Sequence, residues 1–494
     1  MDSLAQPSKP KKASNDIWHC RFAALPFRLL PIMLIFACAE ILTGRCIYAA
    51  VLTVIAVSLL VLGSNLKRDL LGEPLLFSDA AVIKACFQHP RFYVNALALP
   101  ARIAVLFGIF VICFAVISLL VFDLCHLNSV NRSALMERGL GVALASASLY
   151  LLMAVARTRL PARLMPRPDC DEVIPKFGLL ATTTLSWLRW REDRKKPLPP
   201  HHFLRSGETC DIVNAKAPIV IVIQCESFSD PEELGPGENW DCFLPALSKA
   251  RLEARQYGQL HVSGFGAYTM RTEYGVLFGH DEEALGFRRF DPYLSAHWQC
   301  QDALPARLSQ LYEHRLFIHP HDLEFYGRRR LMPVSGFNEM QGDEKFTIAQ
   351  KHGPHLSDAA LGERIITVIN EAAKNNKSTF VFAVTIENHG PWPEGLTGYL
   401  RHLRHGDALL GQVSRRLEQT GHPAVLAFYG DHRPSIPNMV LPGGAMHTPY
   451  LIQEFGMDSP SCGLEKDLTP AMLHHEIYKM ALKVSYANSQ YKTF

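Results

Sequence analysis

The chain has 494 residues, enough for two to four domains and a sizeable buried core. It carries 50 lysines and arginines against 47 aspartates and glutamates, a formal charge of +3, which argues against a general nucleic-acid binder with its basic domain or stripe. Apolar residues make up 48% of the chain but crowd its first third, and that unevenness argues against a purely soluble protein.

Residues 1–21 read as a polar N-terminal tail, with Lys9, Lys11 and Lys12 among Pro, Ser and Asn. Residues 22–160 read as a transmembrane region with about four spans, at Phe27–Leu42, Ile47–Leu62, Ile103–Phe122 and Leu140–Ala156. Crossing a bilayer takes about 20 mostly apolar residues. The third run meets that readily, the second and fourth come close, and the first is short and carries Glu40. The first run starts too far in, and has too many spans after it, to be a removable signal peptide. Lys67, Arg68, Lys84 and Arg91 fall between the second and third runs, and Arg157, Arg159, Arg163 and Arg167 follow the fourth. Only Arg45, and then Arg132 and Arg138, occupy the other two connections. With four spans the positive-inside rule puts both termini in the cytoplasm; an odd number would put the C-terminal domain outside. Leu71–Gln88 is a candidate re-entrant segment. Residues 161–205 combine a candidate interfacial helix, Val173–Trp190 with Trp187 and Trp190, and a proline-rich linker, Arg194–Pro200. The 12 cysteines contain no CxxC and no metal or disulfide framework, and read as small buried side chains.

Residues 206–494 read as the catalytic domain. Pro218–Ile223, Leu316–Ile318, Thr379–Thr385 and Ala424–Tyr429 are apolar runs typical of strands buried on both faces. Ala359–Ala373 and Asp407–Leu417 carry helical spacing between them. The alternation predicts an α/β sandwich, a mostly parallel central sheet with helices on both faces. In such folds ligands bind beyond the carboxyl ends of the strands. Gln224-Cys225-Glu226-Ser227, His319-Pro320-His321-Asp322, Glu387-Asn388-His389-Gly390 and Gly430-Asp431-His432-Arg433 each follow one of the predicted strands. Any one of these could merely cap a helix. Together they deliver carboxylates and imidazoles to one rim.

A glycine-rich turn, Gly264-Phe265-Gly266-Ala267, leads through Tyr268 and Thr269 into the helical stretch Met270–Phe278. On spacing alone Thr269 could be an N-cap with Glu273 near the capping-box position. Beside a metal set it becomes a nucleophile candidate. Glu226, Asp431 and His432 form a hard oxygen-and-nitrogen set for one divalent ion, with manganese the leading choice and magnesium or zinc as alternatives. Such an ion next to Thr269 would lower the hydroxyl's pKa and steady a transferring phosphoryl group. His389 is a candidate acid or base, and Arg328 could hold a phosphate oxygen or a substrate hydroxyl. The pattern is that of a ping-pong phosphotransferase with a phosphothreonine-type intermediate.

These motifs resemble the lipoteichoic acid synthase family of membrane phosphoglycerol transferases, within the alkaline phosphatase and sulfatase superfamily, over most of Ala217–Ile452. The resemblance implies metal ligands at Glu226, Thr269, Asp431 and His432, with Thr269, followed by Glu273 and Tyr274, as nucleophile. It implies a substrate pocket holding His319, Tyr326, Arg328 and His389, with His319 and Arg328 at the family's separation. Thr272 is a second hydroxyl that competes for the nucleophile's role, and His447 has no assigned one. The family implies a phosphatidylglycerol-like donor, a cell-envelope glycan acceptor, and a multi-pass protein of the bacterial inner or plasma membrane. It also implies an extracytoplasmic catalytic domain, against the lean of the loop charges. Transfer of phosphoethanolamine, hydrolysis by the same site, and a non-catalytic membrane scaffold are the alternatives. Sulfate-ester cleavage is disfavoured, because it needs Cys or Ser in a Cys/Ser-x-Pro-x-Arg setting and the chain reads Thr269-Met270-Arg271-Thr272-Glu273.

Overall fold

The computed structural model describes residues 4–6, 17–80, parts of 103–121, 131–199, 216–234, 243–444, 446–457 and 463–486. The chain divides into two compact units, Met1–Lys196 and Pro197–Phe494.

In the first unit, helices α1 (Ile17–Thr43), α2 (Cys46–Leu71) and α3 (Asn131–Ala156) contain segments of 22, 26 and 24 residues long and apolar enough to cross a membrane. The first of these, Phe22–Thr43, is longer than the apolar run counted from Phe27. The helix continues through Pro26 and Pro31, which membrane helices tolerate where the freed backbone groups find other partners. The last, Ser133–Ala156, likewise begins before Leu140, because Glu137 and Arg138 lie inside the helix. The Glu137 carboxylate accepts the Cys46 backbone N–H at 2.9 Å and so meets the start of α2. α1 packs against both α2 and α3. Lys67 and Arg68, expected in a loop, sit in the last turns of α2 and pair with Asp79 and Asp171 at 2.5 and 2.7 Å. The expected third span, Ile103–Phe122, falls only partly within the described residues, where Leu106–Ala115 is a shorter apolar helix. Residues 81–88 of the candidate re-entrant segment lie outside them.

The expected interfacial helix is two helices, α4 (Cys170–Phe177) and α5 (Leu179–Asp193). Gly178 breaks them apart with φ of 89°, a left-handed backbone that favours glycine. Asp169 caps α4 by accepting the Glu172 N–H at 3.0 Å. α5 packs on α1 and buries Leu179, Leu180, Ala181, Leu185 and Leu188. Its tryptophans carry arginines over their rings, Arg191 at 4.9 Å from Trp187 and Arg194 at 5.1 Å from Trp190.

The second unit is built on an eight-stranded sheet. In chain order its strands are β1 (Ile219–Cys225), β2 (Gln256–His261), β3 (His314–Ile318), β4 (Glu339–Gln341), β5 (Thr379–Val384), β6 (Ala424–Gly430), β7 (His447–Phe455) and β8 (Leu464–Glu465). The spatial order is β8-β2-β7-β6-β1-β5-β3-β4. β6, β1, β5, β3 and β4 form a parallel run, and β7 is antiparallel to both β6 and β2. All four strands expected from apolar runs are present. β2, β4 and β8 are short or polar, and β7 carries Pro449, so none of them shows the uninterrupted apolar pattern.

Strand alternation divides the core in two. Val220 and Val222 of β1 face one layer, with α6 (Thr269–Phe278) and the C-terminal α9 (Pro470–Tyr486). Ile219, Ile221 and Ile223 face the other, with α7 (Asp358–Asn375) and α8 (Leu396–Thr420). Both layers are fully buried along β1, which accounts for its apolar run Ile219–Ile223. α8 begins eleven residues before the expected Asp407, its first turns being rich in polar residues.

Candidate metal centre and nucleophile

The parallel strands end on one edge, and the turns that leave them are tightly drawn together. Gly430, the last residue of β6, has no room for a side chain: a Cβ there would lie 1.9 Å from the Phe228 carbonyl oxygen. This close approach sets Asp431 against the turn after β1. The Asp431 Oδ1 accepts backbone N–H bonds from Ser227 at 2.8 Å and His432 at 2.9 Å. The Glu226 backbone N–H is held by the Thr385 hydroxyl at 2.9 Å, which fixes that turn to the end of β5. The glycine-rich turn is joined to the turn after β6 through backbone: Gly266 donates to the Arg433 carbonyl at 2.8 Å, and Phe265 bridges Arg433 in parallel.

Thr269 opens α6 and Tyr268 stands in the capping position, so Thr269 is not the cap that its spacing allowed. Tyr268 has φ of 73° and Ser227, next to Glu226, φ of 52°. Non-glycine residues rarely adopt this region, and such strain collects at functional sites.

Four side chains converge here. The Thr269 hydroxyl lies 3.4 Å from Glu226 Oε2 and 3.5 Å from His432 Nε2. His432 Nε2 lies 3.3 Å from Glu226 Oε1 and 3.4 Å from Asp431 Oδ2. His432 Nδ1 faces the Arg433 carbonyl at 3.1 Å; a carbonyl only accepts, so this nitrogen carries a hydrogen and Nε2 is the nitrogen turned toward the cluster. Burial would raise the Glu226 carboxyl, but the hydrogen bond and charge of His432 hold it down at about 2. Burial and the neighbouring Glu226 carboxylate push Asp431 up to about 7. Burial opposes charge on His432, yet Asp431 and Glu226 raise it to about 9.

These residues fit a divalent cation. Asp431 Oδ2 is buried with no hydrogen-bond partner, an orphan acceptor aimed at the cluster. Glu226, Asp431 and His432 offer ligand atoms within 4.8 Å of one another, and two buried carboxylates this close need a positive partner.

The other expected residues are placed variously. Thr272 is buried and its hydroxyl donates to the Asp431 carbonyl at 2.7 Å, a bond that secures the turn carrying Asp431 and His432. His319 is buried at the end of β3, with Nδ1 3.0 Å from the Val384 carbonyl. Burial and nearby Arg328 push its pKa well below the usual range, so it is a neutral imidazole. His389 is half-buried with Nδ1 2.7 Å from the Gly390 carbonyl. His447 opens β7 opposite His261, their rings 6.3 Å apart.

Arg328 departs most from expectation. It is fully buried, and its Nε and Nη2 reach Glu273 Oε1 and Oε2 at 2.9 and 2.6 Å, a bidentate pair. Tyr293 donates to the same carboxylate at 2.6 Å. Two of the guanidinium's donors therefore serve the interior, fastening α6 to the short helix Arg328–Val334. Tyr326, at φ of 57°, lies with its ring 5.1 Å from the Arg328 guanidinium. Glu273 is likewise a pairing residue and not a capping-box partner.

Sequence reading missed His355, whose ring lies 5.6 Å from that of His389 and whose pKa burial and His389 lower to about 3. It also missed Thr385, for which a strand-end hydroxyl was the available signal. A cavity of about 620 Å³, lined by Phe243, Lys249, Arg404 and Arg415 among others, includes none of Glu226, Thr269, Asp431 and His432.

Residues 218–456 match the Sulfatase family model, and the fold of the second unit is of the sulfatase and alkaline phosphatase type. Over 512 residues the chain is 28% identical to the capsular polysaccharide biosynthesis protein RkpI of Rhizobium meliloti, covering 98% of this chain and 93% of that one. It shares its fold with the integral membrane protein lipooligosaccharide phosphoethanolamine transferase A (EptA) from Neisseria meningitidis, at a TM-score of 0.50 and 14% identity over 96% of each chain. A likeness to the Streptococcus pyogenes phosphoglycerol transferase GacH, solved with sn-glycerol-1-phosphate, has a TM-score of 0.43 and 20% identity, covering 61% of this chain and 84% of that one.

Proposed function

We propose that the chain is a membrane-anchored, metal-dependent transferase that moves a phosphoglycerol-type group from a phospholipid headgroup, through Thr269, to a cell-envelope glycan. The observation that carries this reading is the Thr269 hydroxyl, 3.4 and 3.5 Å from Glu226 and His432, beside the orphan Asp431 oxygen. A threonine in this position, and not the Cys or Ser that sulfate-ester cleavage uses, favours phosphoryl chemistry. The relationship to a capsular polysaccharide biosynthesis protein supports a glycan acceptor.

Glu226, Asp431, His432 and the Thr269 hydroxyl would hold a divalent cation, manganese being our first choice, which would acidify that hydroxyl and offset phosphoryl charge. Thr269 Oγ1, its proton released to solvent and recovered from it in the second half, attacks the phosphorus of the donor, forming a threonine phosphodiester as the ester bond to diacylglycerol breaks. The leaving oxygen takes a proton from His389 in its protonated form. In the second half a glycan hydroxyl gives its proton to His389 Nε2 and attacks the same phosphorus, and the Thr269 oxygen leaves and is reprotonated. With Nδ1 occupied by the Gly390 carbonyl, Nε2 is the nitrogen that exchanges these protons. The first turn of α6 presents the positive end of its dipole to the transferred anion. Neutral His319, with its Nδ1 hydrogen on the Val384 carbonyl, can accept a hydrogen bond at Nε2 without adding charge to the pocket.

The test is peptide mass spectrometry of the full-length protein in detergent, with manganese and mixed phospholipids, and with His389→Ala alongside to slow turnover. A phosphoglycerol adduct on the Thr269 peptide is the expected result. A phosphoethanolamine adduct would change the donor and keep the mechanism, and an adduct on Thr272 would move the nucleophile. No adduct in a metal-loaded protein would refute transfer through threonine.

A further inference from the structure

A second convergence of ligand atoms lies at the exit of β5. Glu387 is almost fully buried, and its two oxygens do different things. Oε2 accepts the Asp358 backbone N–H at 2.6 Å, which ties the carboxylate to the start of α7. Oε1 faces three imidazoles, each through Nδ1: His352 at 2.6 Å, His405 at 2.6 Å and His402 at 3.6 Å. His402 and His405 stand three residues apart, on one face of α8. His352 comes from a small hairpin, Lys351–His352 paired with His355–Leu356. The three rings form a triangle with centroids 5.2, 5.4 and 5.7 Å apart.

Hydrogen bonding alone does not account for this arrangement. One carboxylate oxygen has two lone pairs, already met by His352 and His405. His402 Nδ1 is buried, makes no hydrogen bond, and points at the same oxygen from beyond bonding distance. A cation among the four groups would satisfy all of them. The four ligand atoms lie within 4.8 Å of one another. Tetrahedral zinc, with bonds of about 2.0–2.2 Å, spaces its ligand atoms roughly 3.3 Å apart. His402 is near that spacing, and His352 and His405 reach it by moving outward less than about 1 Å. Three imidazoles and one carboxylate suit zinc, whereas magnesium and calcium prefer all-oxygen sets.

We propose that His352, Glu387, His402 and His405 bind a second divalent cation of the zinc class, holding together the hairpin, the β5 exit and α8. With all four ligands supplied by the chain, the site is of the closed, structural kind. Half-exposed His352 and partly exposed His405 leave the ion a way in. Its consequence falls on the reaction rim. Glu387 is two residues from His389, and the hairpin that carries His352 also carries His355, packed against His389. The bound ion thus positions His389 through its neighbours. The inference holds whether or not the chain transfers phosphoglycerol.

The test is metal stoichiometry on the full-length protein in detergent, stripped with a chelator, reloaded with zinc, and freed of excess ion by gel filtration. Wild type is expected to hold two equivalents per chain, and Asp431→Asn one. That remaining ion, replaced by cobalt, should give the intense visible absorption of a tetrahedral site. His402→Ala with His405→Ala should lose one equivalent and, in the Asp431→Asn chain, the cobalt spectrum. Because that double variant could fail to fold, His352→Ala on the hairpin provides a second reading. It should weaken zinc binding by at least about tenfold against a competing chelator. A single equivalent in wild type, an Asp431→Asn chain that binds none, or histidine variants that bind as wild type does would each overturn the proposal.

Discussion

Replacing Arg328 by methionine would separate two readings of that residue, as an internal ion-pair partner or as a substrate ligand. Arg328 and Glu273 are 1% and 0% exposed as side chains, so the substitution leaves a carboxylate with no compensating cation inside the fold. Tyr293 still donates to it at 2.6 Å, and Gln224 approaches at 3.4 Å. Breaking a buried pair in this way costs about 3–5 kcal/mol. For a domain of about 300 residues that corresponds to a fall of roughly 5–8 °C in midpoint. Glu273→Gln combined with Arg328→Met removes the stranded charge and keeps a carbonyl for Tyr293, so the double variant should recover most of the loss. The assay is thermal unfolding of the full-length protein in detergent, followed by tryptophan fluorescence at one scan rate, because irreversible transitions shift with that rate. An Arg328→Met protein that melts with wild type yet fails to transfer would refute the structural assignment and return Arg328 to the substrate.

Asp431→Asn keeps an Oδ1 acceptor for Ser227 and His432 but sets an NH2 group where the orphan oxygen stands; it should abolish metal binding at Glu226 and His432 with an unchanged circular dichroism spectrum. Thr272→Val strands the Asp431 carbonyl and should cost about 1–3 kcal/mol in stability, while the adduct on Thr269 still forms in the mass spectrum. Gly430→Ala forces a Cβ to 1.9 Å from a backbone oxygen, and the folded protein should be lost in expression and gel filtration.

The parts of the fold legible in the sequence are those buried on both sides. β1, β5 and β6 face apolar layers above and below, so each carries a run of at least five apolar residues. β2, with residues that alternate between buried and exposed, and β7, interrupted by Pro449, left no such record. Glu226, Thr269, Asp431 and His432 were legible because each follows a recognisable strand or turn, and the structure brings all four together. Arg328 was legible as a position but not in its partner, since spacing does not reveal that Glu273 lies across the layer from it. The His402–His405 pair stood at helical spacing in plain view. Its meaning depended on His352 and Glu387, which only tertiary contact supplies.

The distances along the chain between the reacting groups set when this protein can first work. Thr269 meets a partner 43 residues before it and another 163 residues after it, and Ser227 holds Asp431 across 204 residues. No nascent fragment that ends before β6 contains the centre, and loop-closure entropy makes such distant pairings late events in folding. Strain at Tyr268 and Ser227 has nothing to hold it until those pairings exist. A complete centre is therefore also a sign of complete assembly: a chain still lacking Asp431 and His432, however well anchored, has no site to offer a cation.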